Sequence, residues 1–151
     1  KAILTERQRQ VDRQLVAPEI AEKLDAVCIR RFVESEAFAK ICAAQQVLRE
    51  LAFITALPAA EVLAAQGSTA PDTAPEAQVL VQGIADLVLV YPDHLELLDY
   101  KTDRRKTAAD FVRAYKPQLE LYALAVGKRF APKPVTYKGI YSLELGRLIE
   151  V

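Results

Sequence analysis

An α/β fold, with a mixed β-sheet flanked by helices, is what this sequence predicts, and three features predict it. Residues 79–90, VLVQGIADLVLV, form a long apolar run. A second run, Leu95 to Lys101, follows the turn Tyr91-Pro92-Asp93-His94, and two runs this close read as an antiparallel hairpin. Helical sequence lies on both sides, over residues 5–48 and from Thr107 to about Lys128, and a third long strand, Pro134 to Leu143, comes after it.

Each element has a local reason. Thr5 before Glu6-Arg7-Gln8 is a plausible N-cap and first turn. Ala17-Pro18-Glu19 breaks the chain, and Pro18 suits an early helical position. Ile20, Leu24, Val27 and Cys28 then repeat at helical spacing, and Phe38, Ile41, Cys42, Gln45 and Leu48 form a further stripe after Glu34-Ser35-Glu36. From Val47 the pattern becomes that of a strand, reaching Thr55. The Ala-, Pro-, Ser- and Thr-rich segment 57–77 reads as a loop, partly disordered, in which AAEVLAA is able to make a short helical turn. Thr107-Ala108-Ala109-Asp110 is a capped helix start, and Pro117 either kinks that helix or opens a second segment. Strands over 47–55, 79–90, 94–101 and 134–143 make the sheet, and Gly146 turns the chain into a last short strand, Arg147 to Val151.

A chain of 151 residues suits one domain with a real core. Apolar residues make up 52% and charged residues 26%, an ordinary globular composition. No apolar run approaches the ~18 to 20 residues of a membrane span, and no signal-peptide pattern opens the chain. Twenty Lys and Arg balance twenty Asp and Glu, which counts modestly against nucleic-acid binding by this segment alone. Cys28 and Cys42 are too few for a four-cysteine zinc or iron–sulfur site and read as buried free thiols of a reduced, cytoplasmic protein. The chain has no Met and begins Lys-Ala-Ile-Leu, so a fragment of a longer chain is expected.

The hairpin carries the chemistry. Residues two apart on a strand share a face, so Leu97, Asp99 and Lys101 lie together, as do Gln82, Ile84, Asp86 and Val88. Asp86 is an acid within an apolar strand, costly without compensation by a cation or metal ion. Pairing around the 91–94 turn brings Asp86 towards Asp99, and a divalent cation relieves the repulsion of two such carboxylates. Hard oxygen ligands suit Mg2+ or Mn2+. Lys101 is then placed to orient water or to neutralise charge on phosphate. The structural alternative is an Asp99–Lys101 pair at a strand end, with Asp86 satisfied by backbone donors. Glu50, in Arg49-Glu50-Leu51-Ala52-Phe53, is a surface carboxylate or a third acid of the site. Gln118 and Tyr122 share a helix face that Phe111 and Tyr115 extend. Such a stripe is core, or it reaches a phosphate or holds the Lys101 strand.

Three ordered segments, QGIAD (82–86), DYKTD (99–103) and QLELY (118–122), together resemble the RecB-like branch of the PD-(D/E)XK nucleases. More closely, they resemble the C-terminal nuclease domain of the A subunit of the bacterial AddAB-type ATP-dependent helicase–nucleases. Arg49-Glu50-x-x-Phe53 and the ending from Tyr141 to Val151 fit that pattern. The resemblance covers residues 47–151 well and the N-terminal helices loosely. It implies a restriction-endonuclease-like fold, with residues 1–46 as the helical part and 47–151 as the nuclease core of a single domain. It implies a Mg2+- or Mn2+-dependent DNA exonuclease in a cytoplasmic machine that processes double-strand ends for recombinational repair. By the same resemblance, helicase motors unwind the duplex, a second helicase/nuclease subunit is the partner, ATP is used only by the absent helicase part, and this domain is expected to hydrolyse one emerging single strand without a covalent intermediate. Carried over residue by residue, Asp86 and Asp99 hold the metal, Lys101 is the catalytic lysine, Glu50 an additional acid, and Gln118 and Tyr122 the accessory helix motif.

The sequence departs from that pattern in two places. The Gly-Thr-x-x-His helix found upstream in such proteins is absent from these residues, and the one histidine, His94, reads as a solvated turn residue. Pro117 immediately precedes Gln118. Some relatives also carry a four-cysteine iron–sulfur cluster, which Cys28 and Cys42 do not match. Three rival readings follow: a catalytically incompetent nuclease-like DNA-binding or scaffolding module, a structural ion network, and a stand-alone junction-resolving nuclease.

Overall fold

A computed structural model of the chain describes residues 2–23, 25–68 and 76–151. Four short helices come first: α1 (Ala2–Asp12), α2 (Pro18–Glu22), α3 (Ala26–Val33) and α4 (Glu36–Ala43). Then follow β1 (Gln46–Pro58), α5 (Ala59–Ala65), β2 (Gln78–Val90), β3 (Leu95–Lys101), α6 (Ala108–Arg129), β4 (Val135–Ser142) and β5 (Arg147–Glu150). Local chemistry sets several boundaries. Pro18 opens α2, Asp25 accepts from the amides of Val27 and Cys28, and Ser35 caps α4 through the Phe38 amide. Thr107 and Asp110 form a reciprocal capping box at the start of α6.

The five strands lie in the order β1-β2-β3-β4-β5. All neighbours are antiparallel except β3 and β4, which run parallel and are joined by α6. A parallel pair needs such a crossover, and here it lays α6 across the sheet. On one face Val88, Val90, Leu95 and Leu97 pack with Ala125 and Val126 of α6. On the other, Leu87, Leu89, Leu98 and Tyr141 pack with Ala37 of α4 and Phe32 of α3. β3 is covered on both sides and buried from Leu95 to Asp99, which is why leucines occupy both of its faces and why its buried Glu96 and Asp99 need cationic partners. β1 is an edge strand. Its outward carbonyls at Ala52 and Ala56 accept from Arg129 Nη1 at 3.0 Å and Lys128 Nζ at 2.7 Å, which ties the end of α6 to the sheet edge.

Several expectations need correction. Thr5 lies inside α1, which begins at Ala2. Ile20 and Val27 belong to separate helices and are both exposed, so they form no core stripe, and Leu24 lies outside the described residues. α4 ends at Ala43, because Ala44 is extended, so Gln45 and Leu48 leave the helical stripe and Leu48 joins β1. Cys42 is exposed and Cys28 half-buried, because α4 turns Ala37 rather than Cys42 into the core. β1 continues past Thr55 to Pro58, since Leu57 is buried, and AAEVLAA is the helix α5. The expected disorder around Pro71 and Pro75 falls outside the described residues. α6 passes through Pro117 as one helix, so of the two alternatives Pro117 does not open a second segment. His94 is half-buried and stacks on Tyr91, with ring centroids 4.5 Å apart.

Candidate active site

The β2–β3 ladder runs from Val90 opposite Leu95 to Leu87 opposite Leu98 and then stops. One more step would set Asp86 opposite Asp99. There the strands part, and Asp86 Oδ2 accepts from the Tyr100 amide at 2.9 Å. The side chain takes over a ladder hydrogen bond, while β3 continues against β4, with Asp99 opposite Ile140 and Lys101 opposite Ser142.

β1 and β2 are interrupted at the same level. Arg49 pairs with Leu87 and Leu51 with Ala85, with Glu50 and Asp86 between them unpaired. Glu50 has φ 49°, in the left-handed region that non-glycine residues seldom occupy. The register is unchanged across the gap, but both strands change phase. Leu48 and Val88 before it, and Leu51 and Ala85 after it, all pack in the α6-facing cluster, where unbroken alternation would put them on opposite faces. The expectation that Gln82, Ile84, Asp86 and Val88 share a face therefore fails: Val88 is 0% exposed and Ile84 57%.

Asp99 is 4% exposed. Its Oδ2 lies 2.6 Å from Lys101 Nζ, yet has no well-aligned hydrogen-bond partner. The ion pair is close but poorly aligned. Burial raises the Asp99 carboxyl above the usual range, Lys101 partly opposes this, and Asp86 and Asp103 add to the rise. Lys101 Nζ sits 4.4 Å from the centre of the Tyr115 ring. The Tyr115 hydroxyl reaches both Asp103 oxygens at 2.9 Å, and Lys106 Nζ meets Asp103 Oδ1 at 2.5 Å. Those two partners hold the Asp103 carboxyl below its ordinary range.

The predicted residues are thus brought together unequally. Where β2 and β3 part, Lys101 contacts Asp99, while Asp86 is bonded to the Tyr100 amide and reaches Asp99 through its charge rather than by a contact. Glu50 is exposed and lines an open cleft of about 510 Å³ with Arg49, Asp86, Leu87 and Tyr100. Gln118 Nε2 donates to the Tyr122 hydroxyl at 3.1 Å. Tyr122 in turn packs edge-on to Phe53 and against Gly83. Tyr115, two turns earlier on α6, is the aromatic that meets Lys101. Sequence reasoning gave no role to Asp103 or Lys106 and placed Tyr115 only in a stripe. No periodicity links a loop to a helix twelve residues on. A larger hollow of about 910 Å³, along Phe53, Gly83 and Arg129, contains no acid and offers no comparable chemistry.

Among the described residues, no three His, Cys, Asp or Glu side chains are grouped to hold a metal ion. The fit to a hard divalent cation rests on two carboxylates, Asp86 and the buried Asp99 with its poorly satisfied Oδ2. That is the sparse protein ligation Mg2+ accepts when waters and phosphate oxygens complete its shell. No helix among the described residues is long and apolar enough to cross a membrane.

Comparison with known proteins gives one answer. The family described as the PD-(D/E)XK nuclease superfamily matches residues 2–146. A protein of Lacticaseibacillus casei (strain BL23), named as the A subunit of an ATP-dependent helicase/nuclease, is 34% identical over 146 residues, covering 96% of this chain and 11% of its own length. Proteins of the same name from Geobacillus kaustophilus (strain HTA426) and Heliobacterium modesticaldum (strain ATCC 51547 / Ice1) are 32% and 34% identical over 95% and 92% of this chain. The chain spans about 10–12% of the length of these relatives.

Proposed function

This chain belongs to the PD-(D/E)XK nuclease superfamily, and we propose from that premise that it is the DNA-cutting module of a helicase–nuclease. It hydrolyses phosphodiester bonds of a single strand as an exonuclease, in the processing of double-strand ends for recombinational repair. One observation carries the chemistry: Asp86, bonded to the Tyr100 amide, and Asp99 both lie just past the last β2–β3 pair, Leu87 opposite Leu98, with Lys101 against Asp99.

The residues divide the work. Asp86, oriented by the Tyr100 amide, and Asp99 hold a divalent cation, Mg2+ or Mn2+. When bound, that cation neutralises phosphate charge and activates water. Lys101 leaves Asp99 to meet the phosphate, where a fixed cation stabilises charge that develops on oxygen. Tyr115 holds the ammonium through its ring. Glu50 supplies a further acid at the mouth of the cleft. Gln118 and Tyr122 brace β1 and β2 from α6. ATP-driven unwinding belongs to a longer parent chain, which works with a second helicase/nuclease subunit in the cytoplasm. The names of the relatives, which call them the A subunit of an ATP-dependent helicase/nuclease, support the ATP-driven helicase and the further subunit.

The test is calorimetric titration of Mg2+ and Mn2+ into wild type and Asp99→Ala, followed by digestion of end-labelled single-stranded DNA. Metal-binding heat and cleavage in wild type, both abolished in the variant, are expected. The absence of a third clustered ligand among the described residues favours one rival, a nuclease-like DNA-binding module without activity. That rival predicts DNA binding by wild type with neither metal heat nor cleavage.

A further inference from the structure

We propose that residues 102–106 form a phosphate-binding loop that seats the single-stranded DNA backbone beside the carboxylates through Arg104 and Arg105. The inference rests on the nuclease reading above and names the surface that receives its substrate.

Charge is the first argument. The chain is neutral overall, yet residues 101–116 hold six cations, Lys101, Arg104, Arg105, Lys106, Arg113 and Lys116, against two acids, Asp103 and Asp110. Both acids are committed: Asp103 to Lys106 and Tyr115, and Asp110 to Thr107 and Arg113. Arg104 and Arg105 are exposed and have no ion-pair partner among the described residues.

Anchoring is the second. An unpaired arginine on a loose loop is a solvated surface group. This loop is pinned along its length. Asp103 ties it to α6 through Tyr115, the Arg105 amide donates to Glu144 Oε2 at 2.8 Å, and Thr107 starts the α6 cap. Arg105 is held at φ 60°, a conformation that favours glycine, so a strained backbone presents its guanidinium. Ordering the loop before ligand arrives lowers the entropic cost of binding. A planar guanidinium matches phosphate oxygens in pairs.

Placement is the third. Arg104 follows Lys101 by three residues, a reach of at most about 11 Å, so the loop begins immediately beside the acid–lysine pair. The β4–β5 turn that supplies Glu144 also carries Gly146, against which the exposed Arg31 lies, so a third guanidinium borders the same surface.

The test measures binding of fluorescein-labelled oligothymidylate by anisotropy over a salt series in EDTA, so that cleavage does not intervene. Removing one phosphate contact should flatten the logarithmic salt slope by about 0.7. Arg104→Gln/Arg105→Gln should therefore flatten it by about 1.4. Arg104→Lys/Arg105→Lys should keep most of the slope. A charge-matched control, Lys128→Gln/Lys133→Gln, alters cations at the far end of α6 and beside Tyr91, and should leave the slope unchanged. An unaltered slope in the Arg→Gln pair overturns the proposal. So does equal flattening in the control, which would reveal diffuse charge. Circular dichroism checks that each variant is folded. Wild type that binds metal but no oligonucleotide overturns this proposal and the DNA substrate together. Wild type that binds DNA with an indifferent loop overturns this proposal alone.

Discussion

Asp99 occupies a place unfavourable to its own charge. Burial raises its carboxyl pKa more than Lys101 lowers it, so folding favours the protonated form. The stability this contributes is full below the ordinary carboxyl value of about 3.9 and is lost as pH rises through the raised folded value. Asp99→Asn should therefore melt higher than wild type at neutral pH without metal, and the difference should vanish in thermal melts below pH ~4. A lower melting point at neutral pH would show that the Lys101 pair outweighs burial. The same variant should lose the metal-binding heat, separating stability from function. Asp86, Asp99 and Lys101 were legible in the sequence because charges inside or at the end of an apolar strand are conspicuous. The Asp103–Tyr115–Lys106 brace was not, since each of its members has an ordinary local explanation. Glu50 was legible as an acid but not as a left-handed residue, because nothing in its identity asks for that backbone.

At the scale of elements, β2, β3 and α6 were readable because burial on both faces, a tight turn and a capping box each leave a local trace. The shared change of phase at Glu50 and Asp86 leaves none: either strand alone reads as continuous, and it takes the unpaired Glu50, its left-handed backbone and the packing of Leu48 with Leu51 in one cluster to reveal it. Beyond the break, β1 and β2 meet α6 at close quarters. A Cβ on Gly83 would lie 2.8 Å from Phe53 Cζ and 3.0 Å from the Tyr122 hydroxyl. Gly83→Val should cost about 1–3 kcal/mol by overpacking, measured by urea denaturation. It should also shift Tyr122 and with it the Gln118 hydrogen bond. An unchanged midpoint would mean that both rings move aside freely.

For the whole molecule, the order of the sheet matters more than the number of its strands. Antiparallel strands flank one parallel junction, β3 with β4, and the carboxylates lie on the β3 side of it. The sequence made a mixed sheet readable, since a strand–helix–strand unit follows a hairpin. It could not show how the four N-terminal helices divide, where stripes such as Ile20 and Val27 end up facing solvent. One consequence concerns molecules meeting one another. An exposed border strand invites a neighbour's strand to extend the sheet, and charge placed along it blocks that addition. Lys128 and Arg129, bonded to the Ala56 and Ala52 carbonyls, occupy two of the acceptors such a neighbour would need. That leaves those two carbonyls closed to a neighbour in a chain with no net charge to keep copies apart. Lys128→Ala/Arg129→Ala should raise light scattering on concentration well before it alters the circular dichroism of the dilute protein. Scattering equal to wild type would show that Pro58 and the twist of the strand suffice to close that border.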